Sequence, residues 1–498
     1  MRALFLAAAA RDRALLAVVP GERDAEDLAD DLELFTEAVS FLPAWETLPF
    51  EHVSPNVATM ADRAAARHAL AAAEPGTVVV GSVRAATQRV SPSPPDPVTA
   101  TAGDEVSLDA LVDGLAVAGY HRTDRVEARG EFAVRGGIVD VFPAQGRVPV
   151  RVDFWGDEID EITEFSVVDQ RSVRPAGSLV AYPAREFRPD ADTRAAARRL
   201  LEDEPWASST WDRMAEGISF TGMESWLPWF APARTVLDEA GSGVAVVLFD
   251  PVRGGDRSRD LIKEEAELAA ALAGTWGPGA PKAGDHPALY LPLADHVVPE
   301  QVLEAPAIAG GPGVEALAAG TLDATPGDPA SVAAGIDGLM RSGMQIVIAM
   351  DGVPAADRVA RVLAEEGAAL DRRDEVPAGV SAVVASGIHR GFVAPSLGIA
   401  VLGEQEIAGR RRAHRRVAPR AGPAGAAAYA DLTPGDYVVH HRHGIGRFEG
   451  LVSRTLAGVE RDYLLVAYAG QDRLYVPTDQ LAAVRTYTGG EAPRLSRM

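Results

Sequence analysis

The sequence predicts a multidomain α/β protein: a parallel α/β domain carrying an inserted β-rich domain, a further α/β domain, and a small C-terminal antiparallel β-barrel. Three observations predict it. Residues 1–95 alternate short apolar strands with amphipathic helices, and the same rhythm returns from residue 184. Residues 129–172 interrupt it with several strands joined by tight turns. Residues 431–492 are a run of short strands divided by turn residues.

The elements follow in order. MRALFLAAAAR reads as a helix leading into the strand ALLAVV (14–19) rather than as a signal peptide. AVSFL (38–42) and TVVVGS (77–82) are further strands, with helical periodicity over 24–35 and 57–72. SPSPPDP (91–97) is a linker, and Ser107 caps a helix over 107–120. In the β-rich stretch, PVRVDFW (149–155) alternates faces. Val150, Val152 and Phe154 point to a core, and Arg151, Asp153 and Trp155 point away. Beyond residue 184, VAVVLFDP (244–251) is a strand and 257–273 a helix, so the two flanking α/β pieces are expected to share one sheet. GTWGPGAPKAGDHP (274–287) is a loop near a boundary. QIVIAM, SAVVAS and GIAVLGE are strands of the next α/β domain, with a helix over 354–367. A basic linker precedes the last unit, whose strands are DYVVHH, GRFEGLVSRTL, RDYLLVAYA and DRLYVPT.

The net charge of the chain is −23, but residues 1–409 carry −29, because RRRAHRRVAPR (410–420) holds six Arg and no acid and residues 431–498 balance. So acidic a surface repels nucleic acid at long range and favours protein partners. The Arg run reads as a solvated linker. There is no cysteine, which removes disulfides and thiol chemistry and suits a reducing cytoplasm. No apolar run approaches the roughly 18 residues of a membrane-spanning helix. The only lysines are Lys263, on a helix face, and Lys282, in a linker. Neither follows a Gly-rich turn and precedes Ser or Thr, so the chain has no phosphate loop for ATP.

Three patterns resemble chemistry and fail. GIGRFEG (444–450) has the wrong glycine spacing for a dinucleotide fingerprint and no helix after it. His440, His441 and His443 have no carboxylate cluster beside them, and alternation splits them between faces. Asp157, Glu158, Asp160, Glu161 and Glu164 sit on strand and turn, a solvated edge rather than a cation loop. No catalytic or metal-binding residue is therefore expected, and two interaction surfaces remain. One is the face of Arg151 and Trp155, since Trp beside Arg is the composition of a binding hot spot. Arg135 either joins that face across the sheet or is an exposed strand charge, with Gly136 and Gly137 allowing close backbone approach. The other is the C-terminal barrel, whose long strand GRFEGLVSRTL offers an edge to a partner strand.

RGEFAVRGGIVDVFP followed by VRVDFWGDEIDEITEFSVVDQRS resembles the bacterial transcription-repair coupling factors (Mfd), and a similar module occurs in the excision-repair protein UvrB. PAWETLPFEHVSP (43–55) looks like the same family. PGDYVVHHRHGIGRFEGLVSRT, GVERDYLLVAYAGQDRLYVPTDQL and YTGGEAP resemble its RNA-polymerase-interacting domain, a CarD-like barrel that UvrB lacks. The resemblance is weakest over 285–395, which shows only the α/β rhythm.

The resemblance implies a UvrB-like domain in two parts, 1–96 and 184–300, and a UvrA-binding domain over 97–183. It further implies an α/β domain over 305–408, a linker over 409–430 and the polymerase-interacting barrel over 431–492. It assigns UvrA contact to Arg135, Arg151 and Trp155, with Trp155 serving as an aromatic anchor that is often Phe in the family. It assigns contact with the RNA polymerase β subunit to Arg447, Phe448, Leu451, Val452, Ser453 and Arg454. The family's translocase motor, with its ATP, Mg and DNA contacts, is expected to be missing from a chain that stops at LSRM, and the start looks shortened. The implied role is a cytoplasmic adaptor without cofactor or membrane contact. The alternatives are a UvrB-like damage-processing protein and a CarD-like transcription regulator with an N-terminal extension.

Overall fold

The computed structural model describes all residues except 52, 93–95, 273–279, 283, 308–314, 411–434, 441–443, 457–458, 470–472, 478–483 and 487–498. The chain opens with α1 (Arg2–Ala9), β1 (Ala14–Val19), α2 (Glu22–Leu32), β2 (Val39–Leu42), α3 (Val57–Ala72), β3 (Val78–Ser82) and α4 (Val83–Thr87). Every residue of β1 is buried, as expected of a strand covered on both faces. The Asn56 side chain caps α3 by accepting from the Ala58 N–H at 2.9 Å.

The inserted module follows: β4 (Val98–Thr101), α5 (Leu108–Val117), β5 (His121–Arg122), β6 (Glu131–Arg135), β7 (Ile138–Val141), β8 (Val150–Trp155), β9 (Glu158–Phe165), β10 (Ser172–Pro175) and β11 (Ser178–Ala181). Six of its strands form one sheet in the order β10-β9-β8-β7-β6-β5, and β4 pairs with β11. Its main core gathers Phe132, Val139, Val141, Val152 and Ile162 from one face of the sheet with Leu111 and Leu115 of α5.

Four short helices come next: α6 (Ala191–Asp203), α7 (Ser208–Ala215), α8 (Leu227–Phe230) and α9 (Val236–Glu239). They pack Trp206, Trp211, Trp226 and Trp229 into one aromatic cluster. Then β12 (Val244–Phe249) pairs parallel with β1, so the two flanking pieces do share a sheet. The helix expected over 257–273 is longer. As α10 (Pro251–Leu272) it starts directly after the strand, where Pro suits a first helical position. β13 (Val302–Ala305) pairs with β12, so the sheet, ordered β13-β12-β1-β3-β2, runs five residues beyond the expected limit of 300.

The next unit contains α11 (Pro329–Arg341), β14 (Gln345–Ala349), α12 (Val353–Glu365), β15 (Ala382–Val384), β16 (Phe392–Ala394), β17 (Ile399–Leu402) and α13 (Glu404–Ala408). Its sheet order is β15-β14-β17-β16, with β16 antiparallel. Residues 411–430 of the basic linker lie outside the described residues. The last unit holds β18 (Tyr437–His440), β19 (Gly444–Leu456), β20 (Val459–Ala467), β21 (Arg473–Pro477) and β22 (Val484–Thr486), an antiparallel sheet ordered β21-β20-β19-β18-β22. Val438, Phe448, Leu464, Val466 and Val476 form its core. Among the described residues no helix is long and apolar enough to cross a membrane.

Candidate functional site: two partner-binding surfaces

The first surface lies on the second face of the inserted sheet. β8 keeps its alternation: Val150 and Val152 are buried, Phe154 packs against the main core, and Trp155 is 81% exposed. Trp155 stands at the end of β8 opposite Glu158, beyond a bulge at Asp153/Phe154 that sharpens the local twist. The acidic residues 157, 158, 160 and 161 beside it are exposed, and Glu164 pairs with Arg174 at 2.7 Å.

Arg151 departs from the expectation that it points freely outward. Its side chain is only 15% exposed. Nε and Nη2 donate to the two oxygens of Asp140 at 2.7 and 3.0 Å, the bidentate geometry that suits a guanidinium. Asp140 is 1% exposed and lies directly across from Arg151 on β7. The Phe165 ring lies over the guanidinium at 5.0 Å. Phe165 belongs to a second small core with Val126, Ala133 and Phe142, so part of this face is covered rather than open. The Asp140 hydrogen bond raises the Arg151 pKa. Asp153 shifts up through burial, against the pull of Arg151, and Glu161 directly opposite adds to the rise.

Arg135 joins the face. It ends β6 before a two-residue turn in which Gly136 has φ 62°, and a Cβ on Gly137 would meet the Phe154 carbonyl at 3.1 Å. Its Nη2 lies 3.7 Å from Asp140 and donates to Gln170 at 3.3 Å, with the side chain 43% exposed. Gln170 holds a left-handed φ of 61° and donates to the Val126 and Val167 carbonyls, which ties the 166–171 turn beneath Arg135. The surface is thus an exposed tryptophan and a half-exposed arginine on a sheet pinned by one buried aspartate.

The second surface is on β19. Its first residues pair with β18 and the rest with β20. Among the described residues the contact with the β18 side ends at Phe448, which leaves one edge of Glu449–Leu456 without a ladder. Arg447 is exposed there, and Val452 is half-buried. Phe448 corrects the expectation: it is 5% exposed and in the core, because alternation turns it inward beside exposed Arg447. The side chains of Leu451, Ser453 and Arg454, and residues His441 and His443, lie outside the described residues.

Comparison with known proteins finds relatives along the whole chain. The transcription-repair-coupling factor of Mycobacterium bovis is 36% identical over the whole of this chain. The chain is similar to this factor from end to end. It spans 44% of the length of that relative. The factor of Myxococcus xanthus is 29% identical over 96% of this chain and 44% of its own length, and that of Escherichia coli 28% over 95% and 43%. The model described as the UvrB interaction domain matches residues 98–187, and that described as the CarD-like/TRCF RID domain matches 432–488.

Other residues that carried the family resemblance have structural work. Trp45 of PAWETLPFEHVSP is 1% exposed, and its Nε1 donates to Glu186 at 2.7 Å. Glu186 also accepts from Arg63 at 2.7 Å and lies 3.7 Å from Arg67, while Arg67 holds Glu239 bidentately. Glu186 closes the inserted module, and Arg63 and Arg67 lie one turn apart on α3, so the network clamps the module to the parallel domain. Burial works to raise the Glu186 pKa, but Arg63, Arg67 and Trp45 together hold it below the usual range. The residue that sequence reading missed on the first surface is Asp140. Its only signal was an acid in the otherwise apolar strand IVDVF.

Proposed function

We propose that the chain is a two-ended protein adaptor of transcription-coupled DNA repair. The 98–187 module recruits UvrA, with Trp155 as anchor and Arg135 and Arg151 beside it. The 432–488 module holds RNA polymerase, and its β subunit adds a strand to the free edge of β19 near Arg447. The observation that carries this reading is the 81% exposure of Trp155 on a face otherwise fixed by hydrogen bonds and ion pairs. A large aromatic left in water on a rigid sheet is an interface residue, because it loses little conformational freedom on binding.

No ATP hydrolysis is assigned to these 498 residues, since neither lysine lies in a phosphate loop. Nucleotide, Mg and DNA belong to the motor of the wider family, and the adaptor works in the cytoplasm. Calorimetry of the chain with UvrA tests the reading. Binding that Trp155→Ala abolishes supports it. Tight binding indifferent to Trp155→Ala rejects the site, and no binding to UvrA with retained polymerase binding favours a CarD-like regulator. ATPase activity of the chain itself favours a UvrB-like enzyme.

A further inference from the structure

The sheet of the 329–408 unit has two apolar faces. Ile346, Ile348, Val383, Ala400 and Leu402 face α11 and α12 of the same unit. Val347, Ala349, Val384, Phe392, Ala394 and Val401 face the other way, and no helix of that unit joins their cluster. Leu4 of α1, together with Leu34 and Phe35 just after α2, packs there instead. The same two helices turn Leu6, Leu28 and Leu32 toward Leu15, Val78 and Phe249 of the first sheet. A parallel sheet needs cover on both faces. Here α1 and α2 form one helical layer that covers two sheets.

A polar contact closes the edge of this layer. His389, in the loop between β15 and β16, is 12% exposed at its side chain. Its backbone N–H donates to Asp31 at 2.7 Å, its Nδ1 lies 2.8 Å from the same carboxylate, and its Nε2 lies 3.2 Å from Asp27. Asp27 and Asp31 are one turn apart on α2. Both ring nitrogens therefore lie close to carboxylate oxygens, Nδ1 in hydrogen-bonding geometry and Nε2 at ion-pair distance, and the imidazolium is attracted by both carboxylates. The loop keeps this geometry because a side chain at Gly391 would run into Glu406, whose carboxylate accepts the Gly391 N–H at 3.1 Å. A cleft of ≈ 610 Å³ opens beside His389, giving protons a path to it. The other titratable or charged groups that line it are Asp24 of α2, Arg2 of α1, Arg390 of the loop itself and the Met1 amine just before α1, whose pKa burial lowers to about 5.

We propose that α1 and α2 lock the two α/β units into one rigid body, and that His389 is the clasp whose protonation sets how firmly the lock closes. From the inserted module to Gly409 the chain moves as a piece, and raising the pH loosens the joint.

The absence of cysteine makes the test direct. Spin labels on Asp260→Cys of α10 and Arg361→Cys of α12, both exposed in the full chain, report the inter-unit distance. At about pH 6, where free His is largely charged, one narrow distance distribution is expected. It should broaden at about pH 8.5, and in His389→Ala at either pH. Asp31→Asn, a milder change, should broaden it less and weaken the pH response. A broad distribution at the lower pH overturns the rigid body. A narrow one that neither pH nor these substitutions alter overturns the clasp.

Discussion

Two arginine–carboxylate clusters, built from the same groups, do opposite things. Around Glu186, Arg63 and Arg67 are sealed from solvent, with side chains 0–1% exposed, and every contact is internal. Around Asp140, the carboxylate is just as buried, but Arg151 and Arg135 rise toward the surface at 15% and 43% exposure. The first cluster joins two parts of the chain. The second prepares a face, because a guanidinium already held by two hydrogen bonds has less freedom to lose when a partner arrives. Exposure, not composition, separates lock from platform.

The largest expected effect comes from breaking the lock. Glu186→Ala leaves Arg63 buried without a counter-ion, while Arg67 keeps Glu239, so a loss of about 3–5 kcal/mol is expected in urea unfolding. A loss below about 1 kcal/mol means the cluster is not sealed. The platform should respond differently. Trp155→Ala is expected to weaken UvrA binding by about 30-fold or more, near 2 kcal/mol, while leaving the melting temperature unchanged. Asp140→Asn tests whether the platform is pre-organised. It should cost about 1–3 kcal/mol in stability and weaken binding although residue 140 is too buried to touch a partner. Unchanged affinity removes the platform role.

A third carboxylate sharpens the contrast through pH. Glu265 is also buried, but it accepts hydrogen bonds from the Leu289 and Tyr290 N–H groups, with His286 Nε2 3.8 Å away, and among the described residues it has no ion pair to an arginine. Burial pushes its pKa up to about 7 against those two bonds. Its folded pKa lies above the unfolded value of 4.5, so stability falls as pH rises from about 4.5 through about 7. Glu186 has the opposite sign: its contribution is present above the ordinary carboxylate range and is lost as pH falls through its lowered pKa. Glu265→Gln should flatten the fall toward neutral pH and leave the acid limb in place, as read from melting curves across pH.

The alternation that set Val150, Val152 and Phe154 against Trp155 was legible in the sequence because it is local, with a period of two. The Ser107 cap and the apolar run of β1 were legible for the same reason. What sequence reading missed depends on register. Asp140 meets Arg151 only because β7 and β8 pair with these two residues opposite each other. Phe165 covers Arg151 only once β9 is placed beside β8. The burial of Phe448 follows from its place in β19, and β13 joins the first sheet through a parallel pairing 56 residues from its partner, Val302 with Val246. The double duty of α1 and α2 was hidden because a helix with two apolar sides reads the same whether one sheet or two lie against it.

The central claim is that one chain joins polymerase to UvrA through two separate faces. The most direct measurement immobilises RNA polymerase, adds the chain, and records UvrA captured by surface plasmon resonance. UvrA should be captured only when the chain is present, and Trp155→Ala should abolish its capture while the chain itself stays on polymerase. UvrA capture that is equal with the wild-type chain and the variant, or that needs no chain at all, would contradict it.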